Sequence, residues 1–153
     1  MKSKNLGLIL IKLQNADIYN SIVDTTQKLI DNNPYNNICI FNSFCDKIDI
    51  KNIPILHLSH ARFFQGDLII FDIASLLLTK NFTNIKNRYF YAYNIPWIDD
   101  PSVLFHQWKS LFDHNNISII TKNQELFDIY ELCWKKPIGI TETFNYEELE
   151  QII

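Results

Sequence analysis

HLSHARFFQGDLIIFDIASLLLTKNFTNIKNRYFYAYNIPWIDD, residues 57–100, decides the fold. Leu68–Phe71 (LIIF) is a short continuous apolar run, the form taken by a strand buried on both faces. Asp72 stands where a helix N-cap belongs, ahead of an apolar segment from Ile73 to Leu78. Arg88–Tyr93 (RYFYAY) reads as the next strand, with Tyr89, Tyr91 and Tyr93 on one face and Phe90 and Ala92 on the other. Ile55–Leu58 precedes them as a third strand. Polar and aromatic residues follow each strand: His57, Ser59, His60 and Arg62, then Asp72 and Ser75, then Tyr93, Trp97 and Asp99. Open α/β sheets bind ligands at those carboxyl ends.

The pattern extends both ways. Leu6–Leu13 is an apolar strand, and Ile18–Asn32 carries helical spacing until Asn32-Asn33-Pro34 stops it. Asn37–Phe41 is a buried strand, and 46–54 a polar connection or a weak edge element carrying Ile48, Ile50 and Ile53. Pro101 suits the first turn of a helix running through His114. Ile117–Ile120 is a strand, Gln124–Lys135 an amphipathic helix, Pro137–Ile140 a last strand and Tyr146–Ile153 a closing helix. Alternation of this kind predicts an α/β fold: a single Rossmann-like domain over 1–153, its sheet of six to seven strands mostly parallel and flanked by helices.

The 153 residues are 47% hydrophobic and 20% charged, with a net charge of -3. That balance buries a sizeable core and counts against a nucleic-acid partner, which needs a basic face. Three cysteines, Cys39, Cys45 and Cys133, have no CxxC or ligand-spaced histidines beside them, so no metal site is expected. Free cysteines point to a reducing, cytoplasmic setting. No apolar run reaches the ~20 residues of a membrane span, and the N-terminal run, interrupted by Lys12, reads as a strand rather than a signal peptide. The 25 Ile and 17 Asn against 2 Arg follow AT-rich codons.

Chemistry is less legible. The link after the first strand, LQNADIYN, has no glycine to let backbone approach a pyrophosphate, which argues against a dinucleotide or P-loop site, and no cofactor is expected. His57 and Asp72 are the candidates for a general base, Asp72 drawing on a histidine from a neighbouring strand end. Ligand-binding candidates are His60 and Arg62, with Ser75, Trp97 and Asp99; an aromatic beside carboxylates suits a sugar. Lys122 and Asn123, between a strand and its helix, would favour an anion. Each also has a plain structural reading: Asp72 and Asn123 as caps, Asp67 after Gly66 as a turn residue, Trp97 as packing.

The runs FFQGDLIIFDIASLLL, RYFYAYNIPWIDDP and SIITKNQELFDIYELCWKKPIGITETFNYEEL resemble short glycosyltransferase-like proteins of tailed phages infecting AT-rich marine bacteria. The likeness covers roughly residues 55–153. It implies one Rossmann-like half of a two-domain (GT-B) architecture, with a nucleotide sugar or glycan acceptor as ligand and the infected host's cytoplasm as location. A homodimer or second subunit would complete the cleft. The chain departs from the family in two respects: only one half of that architecture is expected in its 153 residues, and where two glutamates eight apart are common, Glu125 is matched by Cys133. The other expectation is a non-catalytic Rossmann-like module that assembles with itself or another protein.

Overall fold

The computed structural model describes residues 5–11, 16–32, 37–43, 50–99 and 104–153. Seven strands form one sheet: β1 (Asn5–Ile9), β2 (Asn37–Asn42), β3 (Ile55–His57), β4 (Gly66–Ile70), β5 (Ile85–Ala92), β6 (Ile117–Thr121) and β7 (Gly139–Ile140). Their order is β3-β2-β1-β4-β5-β6-β7 and every pairing is parallel. This is the expected α/β, Rossmann-like arrangement. The chain winds outward in both directions from β1 and β4, which makes that pair the switch point.

Parallel strands need crossovers, and these cover both faces. Helix α1 (Ala16–Asn32) buries Ile18, Ile22 and Leu29 on one face, joined there by Leu149 of α6 (Tyr146–Ile152) and by Phe144. The other face takes a 3₁₀ helix (Leu58–Phe63), α2 (Ile73–Thr79), α4 (Phe105–Phe112) and α5 (Gln124–Cys133). A four-residue α3 (Pro96–Asp99) lies between β5 and α4. Period-two alternation sorts the strands: Leu6, Leu8, Ile40, Ile69, Tyr91 and Ile120 pack toward α1 and α6, while Ile9, Phe41, Ile70, Phe90, Ala92 and Ile119 pack toward α2, α4 and α5.

Some expectations shift. Asp67 is a buried residue of β4 rather than a turn residue, and accepts a hydrogen bond from Asn87 Nδ2 at 2.8 Å. The pleat of β4 begins at Gly66, where a Cβ would collide with the Asn5 backbone carbonyl. Arg88 is fully buried: its Nε and Nη2 donate to Thr79 O at 3.0 and 2.7 Å, and Nη2 also to Phe82 O at 2.6 Å. Thr79 O ends α2, where a cation is favoured by the helix dipole, and Phe82 O lies in the turn that follows. The helix start at Pro101 lies outside the described residues, and α4 begins at Phe105. Among the described residues no helix is long and apolar enough to cross a membrane.

The outer strands are short: β3 has three residues and β7 two. Phe144 adopts a left-handed backbone (φ 51) and buries its ring against Phe71 and Tyr91 at centroid distances of 5.0 and 5.1 Å. Two hydroxyls of α1 fix this bend, Ser21 donating to Thr143 O and Thr25 to Phe144 O.

Candidate functional site

Since all strands run the same way, their carboxyl ends share one rim. At the end of β4 the chain stays extended through Asp72 (φ -142, ψ 154), whose Oδ1 accepts from Ser75 N at 2.8 Å and starts α2. The cap reading of Asp72 therefore holds. Its second oxygen, Oδ2, is buried and has no hydrogen-bond partner. Ser75 is itself buried in the first turn of α2.

Tyr93, just past β5, stands within electrostatic reach of Asp72 and Asp99. Burial first, then those two carboxylates, raises its phenol above the ordinary tyrosine range. Asp99 accepts from Asn94 Nδ2 at 2.9 Å. Asp72, Tyr93, Asn94 and Asp99 thus gather at the ends of β4 and β5, next to the switch point. The sequence sets Tyr93 at a strand's carboxyl end without assigning it a role, and the structure sets it within electrostatic reach of Asp72 and Asp99.

Lys122 follows β6 and is half-buried. It lines a cavity of about 80 Å³ with Asp17 and Ser21 of α1, Tyr91, Glu142 and Thr143. Among the described residues its ammonium makes no ion pair. Asn123 is a cap, its Oδ1 accepting from Leu126 N at 2.9 Å to open α5. Trp97 packs edge-on against Trp108, Phe112, Tyr130 and Trp134, with centroids 4.9–6.4 Å away. That is the packing role, although the ring remains half-exposed near the rim.

The remaining candidates are not brought to this place. His57 ends β3, and its Nδ1 caps the 3₁₀ helix at Ser59, 2.9 Å from Ser59 Oγ and 3.3 Å from Ser59 N. Strand β3 is separated from β4 by β2 and β1, three strand spacings or roughly 14 Å. The expected partnership of His57 with Asp72 across neighbouring strands therefore fails. His60 is exposed on the 3₁₀ helix. Arg62 lies at that helix's far end, its guanidinium 4.6 Å from the Phe63 ring centre. Its carbonyl accepts from Asn84, which precedes β5, so Arg62 belongs to the opposite, amino-terminal edge of the sheet. Among the described residues no three His, Cys, Asp or Glu side chains group as a metal ion would require, and Asp100 lies outside them.

No protein-family model matches the chain, and no curated protein or solved structure is significantly similar to it.

Proposed function

We propose that the chain is a phage glycosyltransferase-like module that holds a sugar at the carboxyl ends of β4, β5 and β6, as a glycan acceptor or as part of a nucleotide sugar. One observation carries this reading: Asp72, Tyr93 and Asp99 converge beside the β1/β4 switch point, with one carboxylate oxygen of Asp72 left without a donor. Carboxylates accept from hydroxyls, and strand ends beside a switch point are where such folds take ligands.

A second reading is a non-catalytic assembly module. The separation of His57 from Asp72 favours it, because the expected proton-transfer partner of that carboxylate then stands three strands away.

A thermal-shift panel of UDP-, GDP- and CMP-linked sugars, with simple glycosides beside them, tests the first reading. A ligand at about 100 times its dissociation constant adds roughly 2.7 kcal/mol, a shift of roughly 5–10 °C for a chain of this size. A selective rise supports the sugar-binding module. A flat panel leaves the assembly module standing.

A further inference from the structure

The cavity beneath α1 carries charges of both signs that do not meet. Tyr91 and Ile120 pack toward α1, and Lys122, two residues beyond Ile120, lies on that same side. Ile18 and Tyr91, both buried, close the inner end of the cavity, while Asp17 and Glu142, both exposed, stand at its mouth. Its walls are held together: Ser21 and Thr25 of α1 donate to the carbonyls of Thr143 and Phe144 in the bend between β7 and α6. The space is therefore built into the fold.

The lining is rich in acceptors and poor in donors. The Ser21 hydroxyl is spent on Thr143 O, and the Tyr91 hydroxyl donates to Thr141 O at 3.0 Å, with Glu142 O at 3.4 Å. A hydroxyl has one hydrogen, so both oxygens have only lone pairs left to offer. Asp17 and Glu142 add carboxylates. Against them stands Lys122, which has donors and no acceptor. Among the described residues neither the Lys122 ammonium nor the Glu142 carboxylate makes an ion pair, although both line the same small space.

Size and charge together select the ligand. A cavity of about 80 Å³ has room for roughly five to eight waters. A hexose with its hydroxyls exceeds that, whereas an ammonium, one carbon and a carboxylate fill it. A plain anion would meet Lys122 but also two carboxylates, and a plain amine would meet the carboxylates but also Lys122. A ligand bearing both signs answers both. We propose that this cavity binds the head group of a free α-amino acid, its carboxylate on Lys122 Nζ and its ammonium on the Glu142 carboxylate and the Ser21 and Tyr91 oxygens. The side chain of the amino acid leaves through the mouth, past Asp17 and Glu142. The sugar reading concerns Asp72, Tyr93 and Asp99 at the ends of β4 and β5, so this inference goes beyond it and neither requires the other.

The test uses the whole chain and the soluble standard amino acids, each at tens of millimolar, beside acetate and methylammonium, which carry one charge apiece. The expected result is a rise in Tm of about 2–4 °C with at least one amino acid and a smaller one with either single-charge probe. Lys122→Met and Glu142→Gln remove one charge each from side chains that make no ion pair among the described residues, so both variants should melt with the parent when empty. Each should weaken the best amino acid at least tenfold in isothermal titration. A rise retained in both variants is general exclusion of solute from the protein surface and overturns the site. A rise matched by acetate or by methylammonium overturns the two-signed ligand. No rise with any amino acid overturns the proposal outright, and the glycoside and nucleotide-sugar panel judges the sugar reading separately.

Discussion

Arg88 and Thr79 are joined by a fork: Nε and Nη2 of the guanidinium both donate to the one carbonyl oxygen, at 3.0 and 2.7 Å. The pair ties the amino-terminal half of β5 to the last turn of α2, and Phe82 O takes a further bond from Nη2. Burial pulls the Arg88 pKa below its usual value, but a guanidinium starts so high that it stays charged.

Arg88→Met should therefore destabilise the chain by about 2 kcal/mol, because Thr79 O and Phe82 O lose their charge-assisted bonds and keep only the backbone donors Phe82 N and Ile85 N. Arg88→Lys retains charge without the planar fork and should fall between. Urea unfolding followed by circular dichroism ranks the three proteins; a methionine variant as stable as the parent would mean the fork is dispensable.

Asp72→Ala removes the acceptor for Ser75 N and should cost about 1 kcal/mol, while Asp72→Asn, an equally good cap, should be near neutral. Chemical denaturation of both variants without ligand separates the cap from the sugar contact: a cap acts in the empty protein, a contact acts only on added glycoside.

Gly66→Ala should be among the more damaging single changes, since the added methyl meets the Asn5 carbonyl and not a yielding side chain. A loss of at least about 2 kcal/mol is expected from forcing β1 and β4 apart at their start. A melting temperature equal to the parent's would show that this edge of the sheet can relax.

Alkaline pH should unfold the chain early. Burial pushes the Cys39 thiol from 9.0 up to about 11, and burial likewise raises the Tyr91 and Tyr130 phenols. The unfolded chain gives up these protons first, so their contribution is complete below the unfolded pKa values and is lost as pH rises through the folded ones. The urea midpoint should drop between pH 9 and pH 11, the Cys39 window, and Cys39→Ala should remove part of the drop. A midpoint constant across that range would contradict the assignment.

The strands were readable because their apolar runs are short and bounded: LIIF and NICIF have no alternative as core strands, and Asn123 and Asp72 announce the helices they cap. The site was only half readable. An apolar run records that a strand is buried but not which strands flank it, so nothing local set His57 three strands from Asp72. The 3₁₀ helix Leu58–Phe63 has too few residues for a period to show, and it carries Arg62 to the other edge of the sheet. Gly66-Asp67 looked like a turn because the dipeptide favours one, yet Asn87 supplies the donor that lets an aspartate stay in a strand. Which strand ends lie side by side is set by register, which pairs Ile70 with Phe90 and Ala92 with Thr121, residues 20 and 29 positions apart.

The two outermost strands, three and two residues long, leave almost no free backbone for another chain's strand to lie along. Edges this short disfavour pairing with a second chain's strand, and with it the copy-to-copy growth that threatens open sheets.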